Sequence, residues 1–204
     1  MKRIRDLEAV EIRVLGALLE KEQTTPDQYP LTVNSLIGAC NQKSNRDPVT
    51  RLTETEVIEA LEGMRRDVLV WRSEGARVER WSQSVSRRLE LDRAGKAVLT
   101  LLMLRGPQTA GELRSRAGRL HPFGTLEEVH ATLRGLAAED VSLTTELPRR
   151  PGQKETRWTH RLGAGEPAVC GPQPTATGGA GIDERLAALE ERVERLEALL
   201  EPPS

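Results

Sequence analysis

One set of apolar and helix-capping residues occurs twice in this chain, in the same order, and the duplication restricts the fold to two copies of one small module. Leu7, Val14, Leu15, Leu18 and Leu19 return 84 residues later as Leu91, Val98, Leu99, Leu102 and Met103. Thr32 and Leu36 return at an offset of 77 as Thr109 and Leu113. Thr53, Glu56, Val57, Leu61 and Met64 return at 72 as Thr125, Glu128, Val129, Leu133 and Leu136. Arg80-Trp81 returns at 77 as Arg157-Trp158. A single match of this kind arises by chance. A collinear set, with offsets that change only where loops change length, points to two copies.

Each copy predicts three helices followed by a β-hairpin. In the first, apolar residues at 7, 10, 14, 15, 18 and 19 form a helical stripe over roughly 7–22. The turn segment Thr24-Thr25-Pro26-Asp27-Gln28-Tyr29-Pro30 follows, then a short helix over about 32–41 with Val33, Leu36, Ile37 and Cys40 on one side. After a polar loop, 42–52, Thr53 and Glu56 form a capping box for a third helix that turns Val57, Leu61 and Met64 inward. Strands are expected at 68–72 and 78–81, and in the second copy at 141–147 and 156–162, after a capping box at Thr125 and Glu128. Trp81 and Trp158, at matching places, are expected to lid the two cores. The fold class is mainly α with small β-hairpins (α+β): two tandem winged helix-turn-helix domains, 1–88 and 89–162, then a flexible Gly/Pro linker, 163–181, and a coiled-coil helix, 182–201.

Three segments carry a family resemblance. They are Leu18-Leu19-Glu20-Lys21, then Thr24-Thr25-Pro26-Asp27-Gln28-Tyr29-Pro30-Leu31, then Ala39-Cys40-Asn41-Gln42-Lys43-Ser44-Asn45-Arg46-Asp47-Pro48-Val49. Leu104-Arg105-Gly106, Gln108-Thr109 and Gly111-Glu112-Leu113-Arg114-Ser115-Arg116 extend it. Over roughly 7–162 the chain resembles the YceH-like family of uncharacterised bacterial proteins. The resemblance implies tandem winged helices and a bacterial cytosolic location, and supplies no catalytic residue.

Composition narrows the chemistry. Charged residues make up 30% of the chain and aromatics 2%, so the cores rest on aliphatic side chains and few rings remain for single-strand stacking platforms. Cys40 and Cys170 lie far apart, which argues for a reducing compartment, and Cys40 is expected to be a buried small hydrophobe. The charged N-terminus lacks a signal peptide's apolar core, and no apolar run is long enough to span a bilayer, so a cytoplasmic location is expected. His121, His130 and His160 make no metal-ligand spacing, and there is no phosphate-cradling glycine loop or nucleophile elbow. No enzyme activity, metal or cofactor is expected.

Two functions compete. Residues 1–162 carry a net charge of +4 and the tail 182–201 one of −4, a distribution compatible with duplex DNA against the body. Yet the third helices present Glu54, Glu56, Glu59 and Glu62, and Glu127 and Glu128, which would repel phosphates in a groove. Candidate nucleic-acid contacts therefore lie elsewhere: Asn41, Gln42, Lys43, Asn45 and Arg46 in the loop before the third helix, Arg114 and Arg116 on the fifth, and Arg149, Arg150 and Lys154 at the second wing tip. The loop also reads as a turn held by its own Asn and Asp side chains. The rival function is a protein-interaction module that has lost DNA binding. In the tail, Ile182, Leu186, Leu189, Val193, Leu196 and Leu200 form a heptad seam, and Arg185 and Arg192 against Glu190 and Glu197 favour a parallel homodimer. The seam is short, so docking on its own chain, or disorder, stays open.

Overall fold

The computed structural model describes residues 4–73, 78–138, 140–149 and 151–163. The expected coiled-coil seam from Ile182 to Leu200, the linker after Gly163, and Arg150 lie outside the described residues.

The first repeat opens with α1 (Ala9–Thr24), whose stripe of Val14, Leu15, Leu18 and Leu19 is fully buried. Glu11 starts it by accepting from the Glu8 amide at 2.9 Å. Next come α2 (Val33–Cys40), capped by the Thr32 hydroxyl, and α3 (Glu54–Arg66). The capping box of α3 forms as its sequence requires, with the Thr53 amide donating to Glu56 at 2.8 Å. β1 (Val70–Ser73) and β2 (Arg80–Gln83) pair antiparallel, Val70 opposite Gln83 and Ser73 opposite Arg80. A single turn, α4 (Val85–Arg88), leads to the second repeat. That repeat comprises α5 (Arg93–Arg105), α6 (Ala110–Arg116), α7 (Leu126–Ala137), β3 (Thr144–Leu147) and β4 (Arg157–His160), with Thr144 opposite His160.

Both hairpins gain a third partner in the same way. Leu31 exchanges backbone bonds of 3.0 and 2.7 Å with Trp81, and Gln108 exchanges bonds of 3.0 and 2.8 Å with Trp158. The two pairs are 77 residues apart at both ends, matching the offset seen in the sequence. Trp81 and Trp158 are buried over the cores. The fold is thus mixed α/β, with small antiparallel hairpins and helices arranged as winged-helix-like repeats. No helix among the described residues is long and apolar enough to cross a membrane.

Among the boundaries that differ from expectation, three starts have a local reason. Helix α1 starts at Ala9 rather than near Leu7, because Leu7 bridges to Gly163 and its amide donates to the Leu162 carbonyl at 2.6 Å. The first wing starts at Val70 rather than Val68. Val68 has φ 57° and closes α3 instead: its amide donates to Arg65 O at 3.0 Å and the Leu69 amide to Met64 O at 2.9 Å. This double closure usually takes glycine, and a β-branched residue there costs about 1–2 kcal/mol. The second hairpin starts late too, after Ser142 at φ 49°.

The repeats meet through their equivalent first helices. Gly16 of α1 lies against Leu104 and Met103, Gln23 donates to the Thr100 hydroxyl at 3.5 Å, and Glu22 pairs with Lys96 at 2.8 Å. Position rises along α1 as it falls along α5, so the two run antiparallel. An approximate two-fold axis between the repeats would generate this pairing of equivalent helices.

His160, half-buried on β4, accepts from the Leu162 amide through Nδ1 at 3.4 Å, and burial pushes its imidazole down to about 4. The folded state therefore stays unprotonated where the unfolded chain takes up a proton. His160 should cost stability as pH falls from about 6.5 to about 4, on the order of 3 kcal/mol in all, and no more below that. Urea midpoints at pH 7 and pH ~4.5 should converge in His160→Gln relative to the parent; an identical pH dependence in both would refute the assignment.

Candidate nucleic-acid interface

The loop between α2 and α3 has the residues of a binding loop and the bonds of a structural one. Asn41 brackets Leu52: its Nδ2 donates to Leu52 O at 2.9 Å and its Oδ1 accepts from the Leu52 amide at 2.8 Å. Asn45, at φ 59°, accepts from Arg105 at 2.9 Å. Arg46 is buried, and all five of its N–H groups have partners. Nε and Nη2 reach Ala39 O at 3.0 and 2.8 Å, Nη1 reaches Asn45 O at 2.8 Å, and the pair Nη1 and Nη2 grips Glu20 at 3.1 and 2.5 Å. The Asp47 amide donates to Leu104 O at 2.9 Å, and buried Arg13 donates to Pro48 O at 2.7 Å. The loop therefore ties the first repeat to α5. Gln42 is half-buried, and of the loop cations Lys43 and Arg51 stand in solvent while Arg46 does not. Below the loop Cys40 is fully buried, and burial pushes its thiol up to about 12, which favours the neutral form.

The second repeat displays its cations more openly. Arg114 is exposed and donates to Gly124 O at 2.7 Å, and Arg149 donates to Gln153 O at 3.0 Å. Both bonds go to carbonyls, and neither arginine has a carboxylate in direct contact among the described residues, although Arg114 lies close enough to Glu127 to lower its pKa. Arg119 and Lys154 are exposed without an ion pair among the described residues. Arg116 faces inward, donating to Gln108 at 2.8 Å with Glu112 3.5 Å away. The third-helix carboxylates Glu54, Glu56, Glu59, Glu127 and Glu128 are exposed as expected. Hydrogen bonding to Thr53 holds Glu56 below the usual carboxylate range, and backbone hydrogen bonding at its own position, then Thr125, does so for Glu127. Both stay ionised near neutral pH. No group of three or more His, Cys, Asp or Glu among the described residues is placed to hold a metal.

A cleft that the sequence did not reveal lies beside the first wing. Its volume is about 860 Å³, and Arg66, Val68, Trp71, Ser82, Arg87 and Arg88 are among its lining residues. Arg88 is half-buried and donates to Asp67 O. Arg66 and Arg87 are exposed and have no hydrogen-bond or ion-pair partner among the described residues. The carboxylates in the wall are already engaged: Asp67 accepts from Arg5 at 2.6 Å, and Glu22 takes Lys96 and Gln83 at 2.8 and 2.9 Å. The wall is thus locally cationic. The only sequence trace of it is the pair of doublets, Arg65-Arg66 and Arg87-Arg88, that bracket the hairpin.

Comparison with known proteins agrees with this picture of a structured chain whose chemistry is not assigned. Residues 7–153 match the family model described as "Protein of unknown function, DUF480". A UPF0502 protein of Geobacter sulfurreducens is 49% identical over 197 residues, covering 93% of this chain and 90% of that protein. UPF0502 proteins of Paraburkholderia phymatum and Dechloromonas aromatica are 44% and 46% identical, covering 97% and 95% of this chain and 87% and 94% of their own lengths. With α1 to β3 inside the matched region, the chain belongs to the uncharacterised bacterial UPF0502/DUF480 family.

Proposed function

We propose that this chain is a non-enzymatic, DNA-associated regulator, YceH-like within its family and cytoplasmic. In this reading residues 1–88 and 89–162 are tandem winged helix-turn-helix domains, 163–181 a linker, and 182–201 a coiled-coil helix that joins two copies. The observation that carries it is the set of exposed cations on the second repeat that form no ion pair among the described residues: Arg114, Arg119, Arg149 and Lys154. The α1–α5 joint supports it, because it packs the two repeats against each other. Acidic α3 and α7 make backbone contact by wings the mode, with no helix reading base edges.

Binding to a labelled mixed-sequence duplex over a salt series tests this. Affinity should fall steeply with salt, and Arg149→Ala with Lys154→Ala should flatten the log–log slope by roughly two. Absence of binding at low salt would overturn the DNA reading. A second reading, a protein-interaction module, is favoured by exposed Ile58 among Glu54, Glu56 and Glu59 on α3, and would gain from that result.

A further inference from the structure

We propose that the cleft beside the first wing is a nucleotide site, with a phosphate held by Arg66, Arg87 and Arg88 and a base stacked on Trp71. Three separate features of the cleft converge on that chemistry.

The first is charge. Arg66 and Arg87 arrive from the ends of two different elements, α3 and α4, and point no donor at any described residue. Arginines at a helix end complement the helix dipole. That accounts well for Arg65, which also pairs with Glu62 at 2.8 Å. It does not account for cations of both elements lining one cleft. Guanidinium groups match phosphate oxygens in pairs, and a site with several of them selects a multiply charged oxyanion over a carboxylate. Arg88 adds a fixed member, since its bond to Asp67 O restrains it.

The second is the ring. Trp71 is 57% exposed on the outer face of β1, opposite Ser82, whereas the other two tryptophans are buried lids. Val68 beside it is 47% exposed. A flat indole with an aliphatic neighbour at the rim of a cationic cleft suits a planar base and not a bare anion.

The third is shape and rigidity. The volume, about 860 Å³, lies within the ~300–1,000 Å³ range of small-molecule clefts. The rim is held in place by the strained closure at Val68, and the Ser84 hydroxyl donates to Val68 O at 2.6 Å. Non-glycine residues kept in the left-handed region cluster where a surface is pre-organised for a ligand.

The same chemistry is offered by a free mononucleotide and by a nucleotide within a strand. Fluorescence of the full chain separates them, since Trp71 is the solvent-facing fluorophore among the three. Titration with AMP and with GMP should quench emission saturably, while adenosine and inorganic phosphate alone should bind at least about tenfold more weakly. Trp71→Phe should abolish the change. Arg66→Ala with Arg87→Ala should weaken binding by about tenfold or more with an unaltered melting temperature. Saturable quenching by a single-stranded oligonucleotide but not by mononucleotides would assign the site to a strand. No response to either, or a response that survives the arginine double variant, overturns the proposal. The DNA reading fails separately, because its salt slope is tested on Arg149 and Lys154 of the other repeat.

Discussion

Arg46→Ala should destabilise the fold by about 3–5 kcal/mol, seen as a large drop in the urea midpoint. The Arg46 side chain is 0% exposed and the Glu20 side chain it grips is 13% exposed. Truncation leaves that carboxylate inside the fold without its cation and strips the Ala39 carbonyl of both donors. Lysine should not rescue it. An ammonium has three donors and no planar fork, so it cannot replace the five bonds to Glu20, Ala39 and Asn45. Replacing the pair together, Arg46→Met with Glu20→Met, should cost less than the sum of the single changes, because no charge is then orphaned. A stable Arg46→Ala protein that has lost duplex binding would return this loop to the ligand surface.

The contrast between Arg46 and Arg149 shows what the sequence makes legible. Caps and periodicities are short-range, so Thr53–Glu56, the stripe of α1 and the Trp81/Trp158 lids can be read from residues alone. The duplication then supplies topology, because whatever one copy does the other repeats, down to the third-strand bonds of Leu31 and Gln108. Polarity does not reveal which way a side chain faces. Asn41, Asn45 and Arg46 look like ligand contacts because they are rich in donors and acceptors, and the same richness lets them fasten α1, α2 and α5 to the loop. Arg149, with equal donor capacity, sits on a hairpin that has nothing to bury it against. That difference depends on neighbours 26 to 91 residues away, such as Glu20 for Arg46 and Leu104 for Arg13.

The wing cleft was invisible for a related reason. Val68 belongs to a β-rich run, and by propensity it extends the strand. Helix closure wins because Met64 and Arg65 need partners for their last carbonyls, and the Leu69 and Val68 amides supply them. Ending α3 this way brings Arg66 round beside the hairpin. It shares the cleft with Arg87 only because α4 returns the chain to the same place, and nothing in the local sequence demanded α4.

The joint between repeats yields the second large effect. Gly16→Leu should lower stability by about 2–3 kcal/mol, whereas Gly16→Ala should stay within about 1 kcal/mol of the parent. A glycine in mid-helix costs roughly 1 kcal/mol against alanine, so one kept here needs a reason. The reason is proximity: a Cβ at Gly16 would lie 3.0 Å from Leu104 Cδ2 and 3.2 Å from Met103 Cβ. Alanine trades a propensity gain against a contact that yields by a few tenths of an ångström. Leucine adds three more carbons where Leu15, Ala17 and Leu18 are already fully buried and there is no room. The α1–α5 spacing must then open, which strains the Arg13–Leu104 and Asp47–Leu104 bonds across the same joint. Calorimetry should show one transition in the parent and a lower one in Gly16→Leu; an unchanged midpoint would mean α1 and α5 lie farther apart than 3 Å contacts allow. The variant also separates the two sites. A duplex held by both repeats depends on the joint and should lose most affinity in Gly16→Leu, while a mononucleotide in the cleft should lose less, through release of Glu22 from Lys96 alone.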